Sequence, residues 1–191
     1  MIVIIDNGSQ YTHLIKRNCR DLGFEATILN NKKRSSEFKN IIKNAEKIIL
    51  SGGPSSVTAG NNGLSEEIVK KVINGVLPVP LLGICFGHQL LAHMFNGKVE
   101  KGDSAEYGTC EIEIDDEDIL FKGVPKKLNA WVSHFDTIKL LPENFVGLAH
   151  SKTCQYEAIK HKEKFIFGVQ FHPEVWHTEH GEKILANFLK I

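Results

Sequence analysis

Residues 79–96 read VPLLGICFGHQLLAHMFN and join a short apolar strand to a helix through a cysteine between two glycines. The run 79–84 predicts a buried strand, and residues 86–96 have the periodicity of a helix that Gly97 ends. Between them, residues 83–87 have the form glycine–any–nucleophile–any–glycine. In this form the nucleophile occupies a tight turn above a sheet, and the glycines let strand and helix pass closely. The segment therefore predicts an α/β fold with a reactive residue at the end of one strand.

The same alternation of strand and helix extends upstream of this segment. Apolar runs predict three strands, at residues 1–5, 24–29 and 47–50. Helical spacing and helix-ending glycines predict three helices, at residues 11–22, 36–45 and 65–74. Because helices that connect successive strands produce parallel pairing, this half of the chain predicts an open parallel sheet with helices on both faces.

The second half of the chain has short strands separated by turn residues, which indicate antiparallel additions to the parallel core. The predicted strands are residues 107–114, 128–132, 137–141, 145–150, 155–161 and 165–171. Residues 178–190 predict a closing helix with a buried apolar stripe. Without a repeat, linker or low-complexity tract to divide it, the sequence predicts a single domain over residues 1–191.

Composition narrows the classes of function. The chain has 191 residues, 42% of them hydrophobic, and its 23 basic and 23 acidic residues give a net charge of 0. We expect no nucleic-acid partner, because such partners require a basic excess. We expect no membrane association, because no apolar run approaches the ~20 residues of a membrane span. The 4 cysteines are widely spaced without a Cys-x-x-Cys pair, which predicts a reducing, cytoplasmic location.

Cys85 is the candidate nucleophile. It is predicted to lie at a helix N-terminus, where the helix dipole favours the thiolate over the thiol. The alternative is that Cys85 is a small buried apolar residue, which is the common fate of a free cysteine. We accept that interpretation for Cys19, Cys110 and Cys154, but the glycine-flanked turn favours a reactive Cys85.

His172 and Glu174 are the candidate base and its orienting carboxylate. They follow an apolar strand, and residues two apart in extended backbone point the same way, about 6.5 Å apart at Cα. Glu174 could then hold one ring nitrogen of His172 while the other faces a nucleophile. The simpler alternative is that His172 and Glu174 lie in a surface loop without a catalytic role. A competing hypothesis is a metal site formed by His172, His177 and His180. Without an H-E-x-x-H helix or a cysteine ligand pair, we expect no metal site in this chain.

Ser51-Gly52-Gly53-Pro54 follows the predicted strand at residues 47–50. It lacks the Lys-Ser/Thr ending of a phosphate-binding loop. A cysteine that attacks a carbonyl creates an oxyanion, which backbone N–H groups stabilise best. We expect the N–H groups of Gly53 and Phe86 to form this oxyanion hole, although a plain turn is the simpler alternative for the loop.

Residues 83–89 (GICFGHQ) and 168–174 (GVQFHPE), with the SGGP loop upstream, resemble the class I, triad-type glutamine amidotransferases over the full length of the chain. The resemblance implies a flavodoxin-like core and glutamine as substrate. It implies that Cys85, His172 and Glu174 are the catalytic triad, with Gly53 and Phe86 as oxyanion donors. It further implies a set of substrate-binding residues: Gln89, Ser133, His134, Phe135 and Asp136.

Within the family, residues 6–11, 105–108 and 174–178 resemble the glutaminases of GMP synthetases. That resemblance implies a separate ATP-pyrophosphatase subunit, in a heterodimer or larger complex, which uses ATP and Mg²⁺ to convert XMP to GMP. It implies no cofactor in this chain. The alternatives are the glutaminase subunit of anthranilate or aminodeoxychorismate synthase, or a catalytically silent regulatory module. The SGGP loop and the HPEV sequence differ from the usual chorismate-linked patterns, and the intact triad argues against silence.

Overall fold

Nine strands lie in one sheet in the computed structural model of the chain, which describes residues 1–102 and 105–191. In chain order the strands are β1 (Ile2–Asp6), β2 (Ala26–Asn30), β3 (Lys47–Leu50), β4 (Leu81–Ile84), β5 (Lys98–Ile114), β6 (Lys127–Leu140), β7 (Phe145–His150), β8 (Ala158–His161) and β9 (Ile166–Val169). The α-helices over the same described residues are α1 (Thr12–Asp21), α2 (Lys39–Lys43), α3 (Gly63–Ile73), α4 (Phe86–Met94) and α5 (Gly181–Leu189).

The parallel half of the sheet has the order β2-β1-β3-β4-β9. This is the 2-1-3-4-5 order of a flavodoxin-like core, the core that the family resemblance implies. Strands β4 and β9 are buried along their whole length, because helices cover both faces. Ile84 pairs with Val169, so the carboxyl ends of β4 and β9 lie side by side. The residues that follow these two strands therefore meet at one edge of the sheet.

The antiparallel additions are also confirmed. Strands β8, β7, β5 and β6 continue the sheet beyond β9, each antiparallel to its neighbour. The largest addition is the β5–β6 hairpin, and its β6 strand forms one wall of the functional site described below.

One prediction in this region is wrong. The sequence pattern predicts separate strands at residues 128–132 and 137–141, but both belong to the single strand β6. Pairing continues through the polar residues between them, as Ser133 pairs with Tyr107 and His134 with Glu106. The pairing register between β5 and β6 shifts between Lys101 and Glu106 of β5. A side-chain pattern cannot reveal a backbone ladder of this kind.

The helix predicted at residues 36–45 is also shorter than expected. Residues Ser35–Phe38 form a 3₁₀ turn, and only α2 is α-helical. The Glu37 carboxylate accepts a hydrogen bond from the Arg34 backbone N–H at 3.1 Å, which closes the tighter turn. The closing helix begins at Gly181 instead of residue 178. His180, immediately before it, has a left-handed backbone conformation with φ +57°, which a right-handed helix cannot include.

Two apolar layers sandwich the sheet. Ile2 and Ile4 of β1 face one layer with α1 and α5, whereas Val3 and Ile5 face the other with α3 and α4. This alternation places helices on both faces. Among the described residues, none of the helices combines the length and the apolar character that crossing a membrane requires.

Candidate active site

Cys85 occupies the turn between β4 and α4 in a strained backbone conformation. Its φ is +50° and its ψ is −101°, outside the ordinary regions for a residue with a side chain. Its N–H donates to the Val169 carbonyl at 2.8 Å, and its carbonyl accepts from the Gln89 N–H at 3.1 Å. A Cβ atom on Gly87 would lie 2.6 Å from the Leu50 carbonyl oxygen. The turn is therefore held on both sides, and glycine is required where its backbones cross.

His172 and Glu174 form a buried pair after β9. The Nδ1–H of His172 donates to Oε1 of Glu174 at 2.8 Å, and the Glu174 side chain is 0% exposed. Burial alone would lower the pKa of His172, but the Glu174 carboxylate and the hydrogen-bonded Cys85 thiol raise that pKa well above its usual range. The ring is thus oriented by one nitrogen and poised against the thiol with the other.

Backbone and ring contacts fix His172 in place. Its N–H donates to the Trp131 carbonyl at 2.9 Å, and the Thr178 hydroxyl donates to its carbonyl at 2.6 Å. The Tyr11 ring packs edge-on against the imidazole, with 5.1 Å between ring centroids. These contacts come from three different segments, so local sequence patterns do not identify Tyr11, Trp131 or Thr178 as parts of the site.

Asn7 holds the glycine loop. Its backbone N–H donates to the Ser51 hydroxyl at 2.9 Å, and its Nδ2 donates to the Ser51 carbonyl at 2.8 Å. The Ser65 hydroxyl in turn donates to Oδ1 of Asn7 at 2.7 Å. A Cβ atom on Gly52 would lie 3.0 Å from Cε1 of His172, so the loop approaches the imidazole closely. The loop is thus a braced element of the site and not a plain surface turn.

A cavity of about 590 Å³ opens above Cys85 and His172. It brings together most of the residues predicted to form the site: Gly53, Cys85, Gln89, Ser133, His134, Phe135, Asp136 and His172. Glu174 does not line the cavity, because it lies behind His172 as an orienting residue should. The Phe86 side chain is buried, and its backbone N–H begins α4, where no acceptor exists within the helix. These positions suit both residues to their predicted roles.

The β6 wall of the cavity is hydrogen-bonded to α4 and to Ser56, two residues after the glycine loop. The Gln89 amide donates to the Asp136 carbonyl at 2.7 Å, and the Ser56 hydroxyl donates to the Asp136 carboxylate. The Cys85 thiol lies 3.7 Å from the Ser133 carbonyl oxygen. The wall therefore presents backbone groups beside the nucleophile, which fits the role implied for residues 133–136.

Comparisons with known proteins identify the family. The sequence model described as "Glutamine amidotransferase class-I" matches residues 3–191. The chain belongs to the class-I glutamine amidotransferases. Two curated relatives of this amidotransferase are named as subunits of the glutamine-hydrolyzing GMP synthase. The one from Pyrococcus abyssi is 52% identical and that from Pyrococcus furiosus 51%, each over 100% of this chain and 98% of the relative. A solved structure from Thermoplasma acidophilum is 34% identical, with a TM-score of 0.89 over 99% of this chain and 92% of its own.

The remaining cysteines and histidines of this amidotransferase do not form a second nucleophile or the rival metal cluster. Burial raises the pKa of Cys19 to about 11 and the pKa of Cys154 still further. The His177 ring stacks on the Trp176 ring, with 3.6 Å between ring centroids. Among the described residues, His172, His177 and His180 do not converge as metal ligands.

The raised His172 pKa predicts a pH dependence of stability in the amidotransferase. A histidine whose pKa is raised on folding stabilises the protein fully when the pH is below the pKa of the unfolded state, 6.5. That stabilisation is lost as the pH rises through the pKa of the folded state. We expect the free energy of unfolding to fall from about pH 6.5 upward, and Glu174→Gln to flatten that fall. Chemical denaturation of both proteins between pH 6 and pH 9 measures the slopes.

The comparison of slopes is needed because burial raises the pKa of Glu157 to about 8, which gives a fall of the same sign. Glu157 is unchanged in the variant, so the difference between the two slopes reports the coupling of His172 to Glu174. Equal slopes would contradict the coupling of His172 to Glu174.

Proposed function

We propose that this amidotransferase is the glutamine-hydrolysing subunit of a two-subunit GMP synthase. One observation carries the proposal: relatives named as subunits of that enzyme match the whole chain at about half identity, from 52% down to 47% among four of them. The site also supports it: Cys85 and His172 line the cavity with Glu174 behind the imidazole, and a cysteine nucleophile needs such a base and orienting group to cleave an amide.

The residues of the cavity account for each step of the hydrolysis. The Cys85 thiolate attacks the side-chain amide carbon of glutamine, and the N–H groups of Gly53 and Phe86 stabilise the resulting oxyanion. His172 donates the proton with which ammonia leaves, and a thioester remains on Cys85. His172 then takes a proton from water as the water attacks the thioester, which releases glutamate and restores the thiol. Glu174 keeps the imidazole oriented and stabilises its charged form.

The partner in this proposal is an ATP-pyrophosphatase subunit. It would use ATP and Mg²⁺ to activate XMP, and the ammonia made at Cys85 would convert that intermediate to GMP. No step in this chain needs a cofactor. The cavity rim carries the exposed side chains of Tyr107 and Phe135, which are available for contact with such a partner.

We expect the partner to control the rate. Elements of the site lie on loops at one edge of the sheet, where docking can complete the oxyanion hole or shift His172. The glutaminase rate should be low for the chain alone and rise at least about tenfold with the synthetase subunit, XMP and Mg-ATP. The measurement is steady-state glutamate release by the chain alone, with the partner, and with the loaded partner.

The same assay separates the alternatives. Stimulation by a chorismate-using synthase subunit, without stimulation by the XMP-dependent one, would assign the chain to anthranilate or aminodeoxychorismate synthesis. No glutamate under any condition would favour a silent regulatory module. Equal rates under the three conditions would reject partner control and leave the triad chemistry intact.

A further inference from the structure

A buried cluster of ligand-type side chains adjoins the cavity. Glu106 of β5, His134 of β6 and Glu157, just before β8, bring three donor atoms within 4.8 Å of one another. His134 also lines the cavity, but the proposed hydrolysis gives its side chain no task. The three residues lie far apart in the sequence, so no spacing motif indicates the cluster.

The donor atoms of this cluster lack hydrogen-bond partners in the part of the chain that the structure describes. They are both ring nitrogens of His134, both carboxylate oxygens of Glu157 and Oε2 of Glu106. Glu157 is 0% exposed. Burial raises the pKa of Glu157 against the opposing effect of the Ser151 hydroxyl, and it lowers the pKa of His134 against the opposing effects of Glu106 and the Asp136 backbone. Proteins pair nearly all buried polar atoms, so this concentration of unpaired ones points to a missing ligand.

The geometry suits a metal ion. Nε2 of His134 and Oε2 of Glu106 lie 3.0 Å apart without the alignment of a hydrogen bond. Neighbouring ligands around a tetrahedral zinc ion at about 2.1 Å are separated by roughly 3.4 Å, so a small widening of this contact would admit the ion. The Thr153 hydroxyl donates to the other oxygen of Glu106 and so fixes that carboxylate from outside, as ligand-supporting residues do.

The chemistry of the donors favours zinc. One imidazole and two carboxylates are common zinc ligands, whereas magnesium prefers oxygen ligands and retained water.

The geometry points to a zinc site at Glu106, His134 and Glu157 that braces the β5–β6 hairpin against the segment before β8. The ion takes no part in the triad chemistry. It ties the wall that carries residues 133–136 to the rest of the sheet. This role does not depend on which synthetase the chain serves.

Equilibrium dialysis against Zn²⁺, with metal content measured by mass spectrometry, tests the site. The protein carries Cys85→Ser throughout, because the nucleophile and His172 could themselves bind zinc. We expect one Zn²⁺ per chain, and an apparent Kd weakened at least about 30-fold by either Glu157→Gln or Glu106→Gln, because loss of even an outer-shell partner of a ligand costs roughly 10- to 100-fold in affinity. Glu111→Gln is the matched control, because Glu111 is an exposed glutamate of the same strand as Glu106.

Thermal unfolding gives a second readout that does not depend on activity. Saturating Zn²⁺ should raise the Tm of the Cys85→Ser protein and of the Glu111→Gln control, but not that of the two ligand variants. The proposal is overturned by the absence of saturable binding, or by equal binding in Glu157→Gln. Loss of Zn²⁺ binding in His177→Ala would place the ion at His172, His177 and His180 and would also overturn the proposal. Mg²⁺ binding as tight as that of Zn²⁺ would reject the assignment of the site to zinc.

Discussion

Cys85→Ala is expected to abolish glutamine hydrolysis, with a loss of at least about 10⁴-fold in kcat, and to leave the fold intact. The thiol is the group that forms the thioester, and Cys85 is the one cysteine among the described residues that line the cavity. Alanine keeps the Cβ atom, so the backbone strain at φ +50° is unchanged. Glutamate release and circular dichroism of the purified variant check both parts of the prediction.

Cys85→Gly is the informative control. Glycine adopts this conformation without the steric cost that other residues incur, so Cys85→Gly should be about 1 kcal/mol more stable than Cys85→Ala and equally inactive. An alkylating glutamine analogue should label Cys85 and spare Cys19, Cys110 and Cys154, since burial raises the pKa of each of these three thiols. Hydrolysis by Cys85→Ala, or labelling of another cysteine, would reject Cys85 as the nucleophile.

His172→Ala should lose nearly as much activity as Cys85→Ala, because a nucleophile and its base act as one unit. Glu174→Gln should lose less, about 10²- to 10⁴-fold in kcat, because Glu174 orients the imidazole without touching the substrate. The 2.8 Å contact to Nδ1 sets the tautomer of His172, and an amide can present its N–H group there instead. Steady-state kinetics of the three single variants and of the double variant His172→Ala/Glu174→Gln give the comparison.

The double variant is the decisive measurement. If Glu174 acts through His172, adding Glu174→Gln to His172→Ala should cost little further activity. Additive losses would show that Glu174 has a role independent of the imidazole. A Glu174→Gln protein with undiminished kcat would remove Glu174 from the triad.

Much of the fold follows from side-chain pattern alone. The pattern predicts the strand at residues 47–50 with its observed bounds, because Ile48, Ile49 and Leu50 form an apolar run of the kind that parallel strands bury on both faces. The same pattern divides β6 in two, because Ser133, His134 and Asp136 interrupt its apolar residues. Those polar residues are placed by pairing with β5 and by the cavity beside them, which are long-range features. The end of α4 shows a smaller case, in which Asn96 and not Gly97 has the positive φ, +67°.

The candidate site divides in the same way. The nucleophile, the base and the glycine loop stand next to strand ends, so local motifs reveal them. The residues that hold them do not: Asn7 reaches Ser51, and Tyr11 reaches His172, from segments that precede them by dozens of residues. A polar cluster directly after a predicted strand, as in residues 6–11, is the signal that could have indicated these supports. The catalytic roles of Cys85, His172 and Glu174 remain predictions, which the variants described above test.

The position of β9 has a consequence for the synthesis of the protein. This strand follows the other eight in sequence, yet it lies in the interior of the sheet, between β4 and β8. A nascent chain that has not yet emerged beyond residue 165 lacks both His172 and the strand that joins the two halves of the sheet. Such a chain holds its thiol without a base and cannot consume glutamine. Activity therefore requires insertion of the last strand, and a fragment that ends before residue 165 should not hydrolyse glutamine.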